Sequence, residues 1–489
     1  MAIALAGILC FVTGFLVVAL GLNARLCSRS GLLLRISLSA AFGLAVFSII
    51  YFLARWSGFL HLWAIHAAVF AILVISLAWV RKHRASSAPD LRASDQATSK
   101  CLLIAFAVAL LAALYSGILR ALTHPYGSGW DSFAIWNLHA RFLYRGGIYW
   151  RDGFSPLIPW SHPDYPLLLP AAIAHFWTVM GSESPAVPAV IGLVFTFSTV
   201  GLLFSGLDIL LSRTSALLGA MCLLSTPFFI DLGTWQYADV PLSFFMLATF
   251  VLLHLHDASA EQGVESRSSL ALAGLAAGFA AWTKNEGVLF LVAVLLARMW
   301  LTSRRSSPGR SPISQIAPML LAVAPLFALI AFFKRAIAPP GDLFSDPATM
   351  LHKLRDASRY WAVLKWYGRE FLRFGEWWLV PLPIVLLVLY FLMRRNLETR
   401  EKETVRASAL ALILTLVGYF LIYLITPRDI YWHLRFSLNR LFLQLWPSAI
   451  FLFFVALRSK PLTIQAGDPE PWVQQPETAS QNGTKSFSC

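Results

Sequence analysis

CLLIAFAVALLAALYSGILRAL, residues 101–122, decides the fold. One charge, Arg120, interrupts an otherwise apolar run of the length that crosses the hydrocarbon core of a bilayer, about 20 residues. Directly beyond it the chain turns polar at Gly129-Trp130-Asp131. Working outward, similar runs recur near 4–22, 32–53, 60–80, 186–206, 215–232, 238–256, 269–283, 286–301, 315–333, 378–393, 407–426 and 441–457. Together they make thirteen spans and predict an all-α, polytopic integral membrane protein. Composition agrees: 58% of the 489 residues are hydrophobic and 13% charged, against about a quarter charged in an ordinary soluble domain. Mean hydropathy is +0.66.

The formal net charge of +14 does not point to nucleic acid, because Lys and Arg sit in short clusters between apolar runs. Arg81-Lys82-His83-Arg84 with Arg92 and Lys100, Arg304-Arg305 with Arg310, and Arg394-Arg395 with Arg400, Lys402 and Arg406 all fall on one side for thirteen spans. That side reads as cytoplasmic. The long segments 123–185 and 334–377 then lie outside, although the second carries Lys334, Arg335, Lys353, Arg355 and Arg359. Cys10, Cys27, Cys101, Cys222 and Cys489 show no paired spacing, so neither a disulfide framework nor a thiolate metal site is indicated.

Within 123–185, residues 131–146 alternate Phe133, Trp136, Phe142 and Leu143 with Asn137, His139, Arg141 and Arg145 at helical spacing, the pattern of a helix lying in the interface. Residues 165–181 read as a second interfacial helix. Trp130, Trp136, Trp150, Trp160, Trp177, Trp361, Trp366, Trp377, Trp378 and Trp432 gather in the outer segments, as tryptophan does at headgroup level. The stretch 458–489, rich in Pro, Gln, Ser and Thr, reads as a disordered cytoplasmic tail.

Polar groups concentrate at outer span ends rather than at mid-span, which favours a membrane-surface enzyme over a transporter with midplane coupling residues. Asp131 is either a general base or a helix N-cap. Ser161-His162-Pro163-Asp164 offers a phosphate contact at His162 and an acid or cap at Asp164; Asp239 precedes Pro241 in another cap-like setting. Thr283-Lys284-Asn285-Glu286 is either a solvated turn or a site where Lys284 and Glu286 face a headgroup. The run 428–440 carries Arg428, Asp429, His433, Arg435 and Arg440, arginines suited to forked bonds with phosphate or to ordinary lipid contact.

The order of these motifs resembles the GT-C type membrane glycosyltransferases that use polyprenyl-phosphate sugars, including protein O-mannosyltransferases and lipid A aminoarabinose transferases. An acid follows an early span, then come HP-x-x-P-L at 162–167, ADxP at 238–241 and TK-x-x-G at 283–287. The resemblance covers roughly 101–300. It implies that Asp131 is the essential first-loop acid, that His162 and Pro163 approach the lipid phosphate, and that Asp239 and Lys284 are the acid and lysine of later outer turns. Arg435 or Arg440 matches the arginine before the last span. Two positions depart: Ser132 stands where the family often has Glu, and Asp164 where it has a second proline, which leaves a divalent cation (Mg or Mn) open. The division expected is an N-terminal three-span addition at 1–100, a catalytic core at 101–333, an outer segment at 334–377, C-terminal spans at 378–457 and the tail. The implied activity is inverting transfer of a sugar from a polyprenyl-phosphate donor to a hydroxyl of a glycan, lipid or protein, outside the cytoplasmic membrane. Membrane lipids are the other expected partners and nucleic acid is not one; a flippase of lipid-linked sugars and a non-catalytic scaffold are the alternatives.

Overall fold

A computed structural model describes residues 2–22, 28–83, 98–261, 267–305, 311–341, 343, 347–376, 382–393 and 399–457. The tail 458–489, with Cys489, lies outside the described residues, as do Cys27, Arg84, Arg92, Arg310, Arg394, Arg395, Trp377 and Trp378.

The described residues form helices and no strand. In chain order the α-helices are α1 (Ala2–Gly21), α2 (Arg29–Ser57), α3 (Leu62–His83), α4 (Lys100–Thr123), α5 (Asn137–Arg145), α6 (Leu168–Met180), α7 (Ala186–Leu210), α8 (Arg213–Leu224) and α9 (Pro227–Thr234). They continue as α10 (Asp239–Glu261), α11 (Arg267–Thr283), α12 (Asn285–Arg304), α13 (Pro312–Ala336), α14 (Pro347–Arg355), α15 (Ala357–Arg373), α16 (Leu382–Met393), α17 (Thr399–Ile425) and α18 (Ile430–Ala456).

Each of the thirteen apolar runs is helical over most of its described residues. Among the described residues ten helices are long and apolar enough to cross a membrane, and α8 with α9 makes an eleventh bent by 66°. Pro227 opens α9 and accounts for the break, because its ring cannot continue the preceding helix. The remaining two, α11 with 17 residues and α16 with 12, are shorter. The chain is an all-α polytopic membrane protein.

In lipid the backbone must satisfy itself, so helices meet through packing and small residues rather than through hydrophobic collapse. Gly14 of α1 and Gly43 of α2 show this: a Cβ at Gly14 would sit 1.9 Å from the Ser39 carbonyl oxygen, and one at Gly43 would sit 2.1 Å from that of Cys10. The pair α1–α2 is locked at backbone distance. α2 packs in turn on α6 and α7, and α10 is buried on nearly every face against α7, α11 and α18.

Both helices expected in 123–185 are present. The first begins with a π-helical turn, Ser132–Trp136, and runs into α5. The second, α6, is enclosed: every residue from Leu168 to Trp177 is buried, against α2 and α5 among others. The tryptophans divide accordingly. Trp130, Trp160, Trp361 and Trp432 are exposed, whereas Trp136, Trp150 and Trp177 pack into the core.

Candidate active site

Six connected stretches of chain bring their polar groups together: the turn after α4, the loop before α6, the ends of α10, α12 and α13, and the middle of α18. Arg440, ten residues into α18, sits at the centre. Its Nη2 donates to Asp131 Oδ2 at 2.6 Å and to Asp239 Oδ2 at 2.9 Å, and its Nε donates to the same Asp239 oxygen at 3.1 Å. One helical turn on, Gln444 Nε2 donates to Asp239 Oδ1 at 2.6 Å, while its own Oε1 accepts from the Tyr419 hydroxyl at 2.7 Å. The second donor to Asp239 Oδ1 is Lys284 Nζ, at 3.1 Å. Asp239 is wholly buried, so this ring of donors meets the desolvation cost of its charge.

The local cap readings are not what the acids do. Asp131 makes no side-chain cap bond to its own helix. Asp164 stands clear of the start of α6, whose cap residue is Leu167. Asp429, by contrast, is a true cap, accepting from the Trp432 amide at 2.7 Å.

Lys284 joins α11 to α12 in extended conformation and also pairs with Glu286 at 2.9 Å. Burial pulls its pKa down, but Asp239 and Glu286 more than offset this, and the net shift is upward: the ammonium is held charged. Glu286 Oε2 is buried with no hydrogen-bond partner among the described residues. A second polar group lies beside the first. Asp164 Oδ2 accepts from Asn285 Nδ2 at 2.7 Å and from Lys334 Nζ at 3.2 Å; Lys334 also donates to Asn285 Oδ1 at 2.7 Å and to the Asp164 carbonyl.

Between the two groups runs an aromatic stack. Trp136, Tyr165 and His162 lie nearly parallel, at 5.6 and 4.7 Å between centroids, and Lys284 Nζ lies 5.6 Å from the Tyr165 ring. His162 adopts a left-handed backbone (φ 50°), and Arg428 Nη2 approaches its Nε2 at 3.4 Å.

The structure therefore gathers Asp131, His162, Asp164, Asp239, Lys284, Glu286 and Arg440 in one place. Arg435 is not among them: it is exposed on another face of α18, with its guanidinium over Phe436. Sequence reasoning missed Gln444, Asn285, Tyr165 and Lys334 as parts of this site. Lys334 carried a usable signal, a lysine in the last turn of an apolar span. Gln444 carried a fainter one, an amide inside a span one turn from Arg440.

The Asp131 and Asp239 carboxylates are already taken by donors from the protein itself. Three side chains occupy the Asp239 carboxylate and Arg440 holds Asp131, and among the described residues no three His, Cys, Asp or Glu are grouped to bind a metal.

No curated protein and no solved structure is matched by this chain. Residues 162–332, however, match the family model described as dolichyl-phosphate-mannose-protein mannosyltransferase, and the match contains His162, Asp164, Asp239, Lys284, Glu286 and, at its end, all of α12 and most of α13. Over residues 162–332, then, this chain is similar to a family that belongs to the GT-C superfamily of membrane glycosyltransferases.

Proposed function

We propose that this protein moves a sugar from a polyprenyl-phosphate donor to a hydroxyl of a glycan, lipid or protein acceptor, at the extracytoplasmic side of the cytoplasmic membrane and with inversion. The observation that carries the reading is the Arg440 bridge, which brings the first-loop acid Asp131 within one guanidinium of Asp239, 108 positions further along the chain. Nothing in helix packing alone calls for two acids to be held there with Lys284 between Asp239 and Glu286.

In this reading the acceptor oxygen attacks the anomeric carbon from the side opposite the lipid phosphate. Asp131 takes the hydroxyl proton as that bond forms. The bond from the anomeric carbon to the phosphate oxygen breaks, and the phosphate leaves as an anion. Charge therefore develops on the phosphate, where fixed cations act most strongly. Lys284 and Arg440, with His162 and Arg428 at the rim, are the groups in place to receive it. Arg440 aims the Asp131 carboxylate, and no step is routed through a metal ion.

The test is transfer by the purified protein from a panel of radiolabelled polyprenyl-phosphate sugars, with Asp131→Asn alongside wild type. Transfer by wild type with a loss of about a hundred- to ten-thousand-fold in the variant is expected for a general base. Near-normal transfer by Asp131→Asn removes that role, and absence of donor binding by wild type removes the reading.

A further inference from the structure

The Arg440 bridge is itself held from one side by a residue with no assigned role, Tyr237. The Arg440 guanidinium lies over its ring, 4.6 Å from the centroid. Its hydroxyl reaches the Gly129-Trp130-Asp131 turn and packs against Gly129. The approach is so close that a Cβ on Gly129 would lie 1.9 Å from the Tyr237 oxygen and 2.7 Å from Cζ. Only glycine fits against the phenol there.

The turn that presents Tyr237 is also fastened. Gln236 before it takes a left-handed backbone (φ 63°), rare for a residue with a side chain and retained where its surroundings hold it. Its side chain supplies that hold: Nε2 donates to the Pro125 carbonyl at 2.9 Å, and Oε1 accepts from Asn137 Nδ2 at 2.9 Å. Tyr237 thus joins three things that are remote in sequence: the turn before α10, the turn after α4, and the guanidinium on α18.

We propose that Tyr237 is a positioning residue of the transfer reaction. Its ring sets the plane of the Arg440 guanidinium and its hydroxyl sets the backbone that carries Asp131, so that one side chain registers the base against the bridge. The inference rests on the function proposed above. It assigns Tyr237 no proton and no contact with the donor phosphate, so its loss acts on turnover rather than on donor affinity. Misplacement of a reacting group by about 1 Å costs up to about a hundredfold in rate.

The experiment measures kcat and donor KM for Tyr237→Phe, Tyr237→Leu and Gly129→Ala in the purified protein, with unfolding midpoints in detergent. Tyr237→Phe keeps the ring and loses the hydroxyl; it is expected to fold as wild type and to lower kcat by about tenfold at unchanged donor KM. Gly129→Ala is expected to lower kcat further, again without moving KM, and Tyr237→Leu, which also frees the Arg440 guanidinium, to lower kcat most. A Phe variant with wild-type kcat, or one whose KM rises in step with its loss of rate, overturns the inference while leaving the glycosyltransferase reading intact. A wild type that neither binds nor transfers from any donor overturns both.

Discussion

Lys284 is where the electrostatics of the site can be tested most sharply. Its side chain is 4% exposed and sits between two carboxylates, yet remains a cation. An arriving lipid phosphate would find that charge already desolvated, and hydrogen bonds to charged groups are worth about 1.5–3 kcal/mol. Lys284→Ala is therefore expected to raise donor KM by about ten- to a hundredfold. Asp239 retains Arg440 and Gln444 in that variant, so the protein is expected to fold. Unchanged donor affinity, read by titration with a labelled donor, would remove Lys284 from the phosphate site. Residues of this kind were partly legible in the sequence. Asp131, Asp239 and Lys284 could be named from motif order, but whether each acid capped a helix or met a distant cation could not, because a cap and an ion pair look identical over five residues. Arg440 lies 309 positions from Asp131, and only the packed helices reveal the bond. The choice between Arg435 and Arg440 was open for the same reason: it depends on the rotation of α18 about its axis.

At the scale of elements, α3 raises a separate question, since so little of it is packed. Leu62, His66 and Leu77 are its only buried residues, and the rest of the helix presents Trp63, Phe70, Ile72, Ile75 and Trp79 outward. Among the described residues its polar tie to another helix is His66, whose Nε2 meets His175 Nε2 of α6 at 2.7 Å while both rings lie against Phe47. That contact requires at least one neutral ring, since two imidazolium groups offer only donors. Burial, then the neighbouring His66, lowers the His175 pKa to about 3, and His139 on α5 is lowered to about 3 in the same way, first by burial. The sign follows. The unfolded chain binds protons on both rings below about pH 6.5 and the folded chain does not, so stability is lost as pH falls from there toward 3. Thermal unfolding in detergent between pH 4 and 7.5 is expected to show a falling midpoint on the acid side. His175→Phe is expected to flatten that limb, with His139 retaining part of it, and an unaltered acid limb would show that the pair is not what titrates. The helices themselves were legible from apolar run length. Their surroundings were less so: α6 has the composition of a helix against lipid, and its enclosure by α2 and α5 is set by tertiary packing that periodicity does not encode.

Across the described residues, a second buried polar cluster lies far from the site. Opposite the site, Arg298 of α12 forks onto Asp257 of α10 at 2.7 and 3.0 Å, Thr404 of α17 donates to Asp257 at 2.9 Å, and Arg305 donates to Thr404 at 2.6 Å. Asp239 and Asp257 stand on the same helix, about 27 Å apart at the helical rise of about 1.5 Å per residue, close to the thickness of a hydrocarbon core of about 30 Å. The two polar clusters thus lie about one hydrocarbon thickness apart along α10. This second cluster ties together three helices, α10, α12 and α17, whose other ends, or whose neighbours, carry the site. It is far from any reacting atom. Removing one partner leaves a buried charge uncompensated, so Asp257→Ala is expected to cost about 3–5 kcal/mol of stability, whereas Asp257→Leu with Arg298→Met removes both charges and is expected to cost much less. Unfolding in detergent separates the two. Transfer per folded molecule is expected to stay near wild type in the double variant, because α10 still enters the site from a helix packed on α7, α11 and α18. A double variant that kept its stability but lost turnover would show instead that this clasp sets the angle at which α10 delivers Asp239 to Arg440.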